Sequence, residues 1–562
     1  MSHALVSAVI VVSVLVATWM LLCVVMSATR VVHRGHLAVS LALAVVGVAL
    51  TSYLTIVIVF LSPTIGPFVV AAGWFAIAVY FIKVRAWRVP REVTAVFILA
   101  AAIVLIHLGL LYLWQFDGSF WALAQGRFIP GGLPPDNTLP AQLAERIGLG
   151  ESTHQFVGDW NGSDRPPLQA GFILLFAGPA VLIGQSATGA AAASVVAQAL
   201  WVPATFALLR ALGTSARAAM IAITFAALTS TVIVNSAFTW PKLLAAAMVL
   251  AALAMLVSAH GSDLRPRSLF VAAVVASTLG LLAHGGSAFA LPTVVVFAVW
   301  KYRRSGWRDV VRHTAWGAAA FGVLYAPWFL FQRFVDPPGD RLLKWHLAGV
   351  VPITDEPFFT VLRQSYSSLT LGQAVANKWA NFRQVFDGDL LRGVYPPGEA
   401  SRGARNSAEF LYTSNALSFA LVLIAALAAF VLVVRLRGQR LGDTDRRLAL
   451  ACAATLPSLV AWALIMFGPA TTLVHQGSHV WLLILLTAPV AWLALHREWA
   501  AWVVVALQGL LAFSFLAPPW VPSDLRPWGL ATLLAGLLLA GVAHRVARLG
   551  EGRQEQGDAR EA

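Results

Sequence analysis

Cysteine is nearly absent: Cys23 and Cys452 are the only two in 562 residues, and each falls inside an apolar stretch. They exclude a disulfide framework and a cysteine-based zinc site. Charge is scarce too, with Asp, Glu, Lys and Arg at 11% of the chain against 59% hydrophobic residues. Together with a mean hydropathy of +0.77, this excludes a soluble domain and marks a polytopic membrane protein. No internal repeat is evident, so the inverted-repeat signature of many transporters is missing. The first apolar run carries its charges after it rather than before it, and a cleaved signal peptide is not expected.

What is present is apolar runs, near 4–28, 36–62, 67–83, 92–116, 187–209, 218–234, 243–259, 268–284, 287–301, 314–331, 411–434, 448–468, 480–496, 499–517 and 527–544. Most approach the roughly 20 residues a helix needs to cross a bilayer, so the expected fold is an all-α transmembrane bundle of about 15 spanning helices. The net charge of +14 is not a nucleic-acid footprint, because the arginines collect in alternate connections: Arg30 and Arg34, Arg85 to Arg91, Arg210 and Arg217, Arg303 to Arg312, and Arg435 to Arg447. The short connections between them hold none. By the positive-inside rule the arginine-rich side is cytoplasmic, which puts the N-terminus outside and the C-terminus inside. Segment 168–184 is apolar, yet counting it as a span would invert everything after it. It is therefore expected as a short helix resting at or dipping into the outer interface.

This topology divides the chain into 1–91 (N-terminal helices), 92–331 (a transmembrane core with a first external loop at 117–168), 332–410 (a second large external loop), 411–546 (C-terminal helices) and 547–562, a polar tail expected to be disordered. Both large loops are expected to carry short interfacial helices.

The first loop opens on acids, among them Asp117, and holds Asp136 just ahead of a helical run, Leu139 to Ile147. It closes on Asp164-Arg165-Pro166-Pro167-Leu168. Later come a short external connection with Phe238-Thr239-Trp240-Pro241-Lys242 and a turn, Leu282-Ala283-His284-Gly285-Gly286. This ordered set resembles the GT-C superfamily, the polytopic glycosyltransferases that use polyprenyl-phosphate sugars, of the protein mannosyltransferase and aminoarabinose transferase type. The resemblance covers residues 92–331. Two departures stand out: four helices precede the first loop here instead of one, and the 238–242 connection carries no carboxylates.

The resemblance implies a hexosyl- or pentosyltransferase of the bacterial cytoplasmic membrane. It would move a sugar, with inversion, from a polyprenyl-phosphate donor to a glycan or lipid acceptor of the cell envelope. Such transfer needs a base for the incoming hydroxyl and positive charge for the departing phosphate. Asp136 is the first candidate base, a use compatible with helix capping. Asp164 is the second, or else an anchor for Arg165 and the Pro-Pro corner. Arg165, Lys242 and His284 are candidate contacts to substrate. So are Arg333, Arg341 and Lys344 of the second loop, where basic and aromatic residues at helical spacing also suit a helix floating among lipid head groups. His475 and His479, four apart in a compact external turn, suit hydrogen bonding to donor or acceptor. No paired acid accompanies them, so no metal site is expected, and assistance by a divalent cation is left open.

Two other classes stay in view. A flippase for lipid-linked saccharides would need polar residues along its spans, and 187–209, 243–259 and 411–434 carry very few. An O-antigen-type polymerase or ligase would rely on arginines in a late external loop, a need that Arg333, Arg341 and Arg363 could meet.

Overall fold

A computed structural model of the chain describes residues 3–32, 36–113, 120–128, 133–178, 180, 184–258, 266–386, 416–468, 482–516 and 527–561. Every apolar run lies on a helix or a pair of helices, and no strand occurs among the described residues. Ten of these helices are long and apolar enough to cross a membrane, or eleven if the bent pair Ala216–Ala227 and Ser230–Ala237 is one span. Four more apolar helices are shorter: Lys242–Ser258, Ala420–Leu436, Leu483–His496 and Glu498–Phe513. About fifteen spans were expected; among the described residues ten or eleven helices reach spanning length.

The bent pair shows how the bundle tolerates a break. Its halves meet at 70°, with Thr229 extended at the junction. A broken helix leaves carbonyls without partners, and in an apolar interior other side chains must satisfy them. His107 Nε2 donates to the Ala227 carbonyl at 2.8 Å, and Gln508 Nε2 donates to the Leu228 carbonyl at 2.9 Å. Gln508 is itself held by the Ser418 hydroxyl. These polar groups inside apolar helices brace the backbone.

Residues 168–184 contain the helix Leu168–Phe176. At nine residues, or about 14 Å, it is too short to span. Neighbouring helices cover it, and Gln169 and Phe172 are fully buried. Gly171 explains the position, since a Cβ there would stand 2.2 Å from the Ser52 carbonyl oxygen. Only a residue without a side chain lets the helix press against Leu37–Leu61. Leu37–Leu61 also packs on Trp201–Ala211 and Lys242–Ser258, so this N-terminal helix shares the core of the later ones.

The last helix, Pro527–Glu561, runs along Arg91–Tyr112. The two approach through small residues, as membrane helices do: a Cβ on Gly109 would meet the Leu533 amide nitrogen at 2.6 Å, and one on Gly536 the Ile106 nitrogen at 2.9 Å. The helix continues to Glu561 where a disordered tail was expected. Its Ala, Arg, Glu and Gln favour helix enough to outweigh the glycines among them.

Both large loops carry short helices. The first has Phe120–Phe128 and Leu139–Leu149; the second has Arg341–Ala348, Phe358–Ser367 and Leu371–Arg383. In the last of these, Leu371, Val375 and Trp379 form a stripe at four-residue spacing and are 83%, 60% and 63% exposed, a face suited to a membrane surface. The helix is fastened from its other side, where Lys378 Nζ donates to the Phe467 carbonyl at 3.2 Å and Asn381 Nδ2 to the Ala463 carbonyl at 3.1 Å.

Candidate functional site

Asp136 sits in the turn that leads into Leu139–Leu149. Its side chain does not cap that helix: Thr138 occupies the N-cap position, and the carboxylate turns elsewhere. Oδ2 accepts from Arg165 Nη2 at 2.7 Å, and Oδ1 accepts from the Trp240 indole N–H at 2.7 Å. The first loop, the basic-Pro-Pro-Leu corner and the 238–242 connection therefore converge on one carboxylate.

Trp240 reaches Asp136 because its loop is braced from below. Thr239 adopts a left-handed backbone (φ 58°), which costs a non-glycine residue energy and must be held by its surroundings. Gln169 Nε2 donates to the Thr239 carbonyl at 2.9 Å, Gln198 Nε2 donates to Gln169 Oε1 at 3.2 Å, and Gln198 Oε1 accepts from the Leu244 amide at 3.0 Å. Trp121 adds a hydrogen bond to the Thr239 hydroxyl at 3.3 Å. This buried amide relay joins three helices beneath the site.

Lys242 begins the next helix. It is 4% exposed, and its ammonium lies 3.8 Å from the centroid of the Trp240 ring. Among the described residues that ammonium has no hydrogen-bond or ion-pair acceptor. A buried cation left in this condition is costly unless an anion completes it.

Arg165, Lys242, His284 and His346 are close enough for their charges to act on one another. Burial, reinforced by Lys242 and Arg165, holds the His284 imidazole well below its usual range. Burial with the same two cations pushes His346 down to about 3. Both rings are therefore neutral at ordinary pH. His284 Nδ1 accepts the Gly286 amide at 3.0 Å, which leaves the ring proton on Nε2 as a donor.

Asp164 is built differently. Its carboxylate accepts the Asn161 amide at 3.0 Å in a capping box around the turn Gly162–Asp164. Burial raises its pKa, against the Asn161 hydrogen bond and the nearby Arg341 and Arg165, which lower it. It stands 3.7 Å from Arg341 and its side chain is 2% exposed. Of the two roles expected for it, the geometry matches anchoring of the corner, although Arg165 itself pairs with Asp136.

The second loop's basic residues separate. Arg341 donates to Asp159 Oδ2 at 2.5 Å and to the Asp159 carbonyl at 2.8 Å. Its guanidinium lies 4.6 Å from the Trp160 ring centroid, and that of Arg165 lies 4.3 Å from the same ring. Lys344 is tied to Asp340 at 2.8 Å and to the Thr354 carbonyl at 2.7 Å. Expected as substrate contacts, both have their charges taken up by loop carboxylates and carbonyls. Arg333 is exposed, and no described contact joins it to the cluster. Asp117, His475 and His479 lie outside the described residues.

Trp160, Trp240 and His346 join the candidate site without having been singled out for it. Trp240 stood next to Lys242 in the quoted connection, but nothing in the sequence pairs it with a residue 104 positions earlier. Among the described residues no group of three or more His, Cys, Asp or Glu is placed to hold a metal ion. The immediate neighbours of Asp136 are a cation and an indole rather than further carboxylates.

No protein-family model and no curated protein matches the chain. Two solved structures are similar to it: crystal structures of ArnT from Cupriavidus metallidurans in the apo state and bound to undecaprenyl phosphate. They share 16% and 15% identity, cover 61% and 65% of this chain and 74% and 77% of theirs, and have a TM-score of 0.31 in each case. Likeness at that level assigns no function, which must come from the site.

Proposed function

We propose that this chain is a membrane glycosyltransferase, moving a sugar from a polyprenyl-phosphate donor to a glycan or lipid acceptor on the extracytoplasmic side of a bacterial cytoplasmic membrane. The observation that carries the reading is a carboxylate, Asp136, set beside a buried ammonium, Lys242, that has no acceptor among the described residues. The first suits the proton of an incoming hydroxyl, and the second suits the charge of a departing phosphate.

In this mechanism Asp136 takes the acceptor's proton while the acceptor oxygen bonds to the anomeric carbon. The bond from that carbon to the phosphate oxygen breaks on the opposite face, so the configuration inverts. Each carboxylate oxygen already accepts one hydrogen bond and keeps a second lone pair for the hydroxyl. Arg165 and Trp240 fix its orientation. Lys242 and the neutral His284 N–H receive the phosphate, and Arg165 adds positive field. Asp164, Arg341 and Lys344 hold the loops in place.

The test is rescue of a deletion strain by wild type and by Asp136→Asn at matched membrane levels, with mass spectrometry of envelope glycans and polyprenyl-phosphate sugars. Loss of one glycan residue with accumulation of a monophosphate donor, restored by wild type alone, supports the reading. Full rescue by the variant sinks it, as does accumulation of a pyrophosphate-linked oligosaccharide, which would make the protein a polymerase or ligase.

A further inference from the structure

A cavity of about 1,030 Å³ opens at the other end of the bundle, between the N-terminal helices and the helices Pro266–Ala283 and Trp307–Leu330. Arg267, at its rim, begins the helix that ends beside His284, so 17 residues, about 25 Å of helix, separate it from the proposed transfer site. The rim is polar, with Arg267, Asp309, Arg312 and His313. The wall below is apolar and includes Val46, Leu50, Val271 and Val275.

The charges at the rim do not balance. Arg312 pairs with Asp309 at 2.7 Å. Arg267 has no hydrogen-bond or ion-pair acceptor among the described residues; its guanidinium lies 4.2 Å from the centroid of the Trp316 ring. His313 is 7% exposed, and its Nδ1 is buried without a hydrogen bond. Among the described residues, then, one arginine without an acceptor sits over an apolar slot that extends from Arg267 to Val275, about 12 Å along the helix.

We infer that this cavity is a binding site for one anionic phospholipid of the cytoplasmic leaflet. The phosphodiester would lie on Arg267, and an acyl chain would fill the slot. A monoanionic head group matches an arginine that has no acceptor among the described residues, and the apolar wall disfavours a soluble anion, which would leave that wall wet. The arginine-rich connections place the rim on the side where anionic lipid is met. The site does not depend on the transferase reading.

Native mass spectrometry of the full-length protein in detergent, titrated separately with phosphatidylglycerol and phosphatidylcholine, tests it. Wild type is expected to retain one phosphatidylglycerol in preference to phosphatidylcholine. The variant Arg267→Gln, which leaves the Arg312–Asp309 pair intact, should lower that retention at least tenfold. Ala272→Trp, which fills the slot and leaves the charges in place, should do the same. Equal retention of the two lipids by wild type, or wild-type retention by either variant, overturns the assignment.

Discussion

Asp336 Oδ2 accepts the Ser163 amide at 3.0 Å, across 173 residues of sequence. The same oxygen accepts from the Thr153 hydroxyl at 3.2 Å, and Oδ1 lies 2.9 Å from His154 Nδ1. Gln332 adds a bond to the Ser163 carbonyl at 3.0 Å. One buried carboxylate thus fastens the second external loop to the corner that carries Arg165. Asp336→Ala strands these donors, at a cost of about 2–3 kcal/mol. Faster proteolysis of the second loop at unchanged membrane levels is expected; wild-type protection would refute the tether.

Asp136→Asn keeps an acceptor for Trp240 but removes the negative charge facing Arg165. Transfer is expected to fall by about 10²–10⁴. Because Arg165 is then left half-buried beside a neutral amide, the double variant Asp136→Asn/Arg165→Gln controls for stability. It should recover thermal stability without recovering turnover, as measured by melting and by product formation in detergent.

Lys242→Met removes a buried ammonium that has no acceptor among the described residues. Its melting temperature is expected to stay level or rise, while the KM for donor increases by about 10- to 100-fold, the worth of a charge-assisted hydrogen bond to phosphate. An unchanged KM would remove Lys242 from the phosphate site.

His346 supplies a pH dependence. Its folded pKa of about 3 lies below the unfolded value near 6.5, so between these limits the unfolded chain binds the additional proton. Stability is therefore fully present above about 6.5 and declines as pH falls toward 3. Asp164, raised in the fold, acts with opposite sign just above the usual carboxylate range. Thermal melts of wild type and His346→Gln across pH 4–7 should show the variant with the shallower slope.

Gly171→Leu would drive a side chain into the Ser52 carbonyl. A loss of more than about 2 kcal/mol is expected, since the helix must move away from Leu37–Leu61. Fluorescence-detected size-exclusion chromatography after graded heating would register it, and an unaltered profile would contradict the close approach.

Several of these features were readable in advance and several were not. The apolar runs became helices because burial in a bilayer demands satisfied backbone groups, a requirement that a local stretch of sequence meets or fails by itself. Asp136, Arg165, Lys242 and His284 could be picked out because a charged or polar residue beside long apolar runs is conspicuous. The depth of Leu168–Phe176 could not be read, because it depends on Gly171 meeting Ser52, and neither residue announces the other.

By itself, then, the sequence determined an all-helical membrane chain whose apolar runs alternate with arginine-rich turns and two large hydrophilic loops. Tertiary structure decided which polar residues meet: Trp240 with Asp136, Asp336 with Ser163, and Arg341 with Asp159. Helix formation and charge asymmetry are settled within a few turns of chain. The partner of a side chain is set by the packing of segments a hundred residues apart, where a single glycine or a single helix break redirects a whole loop.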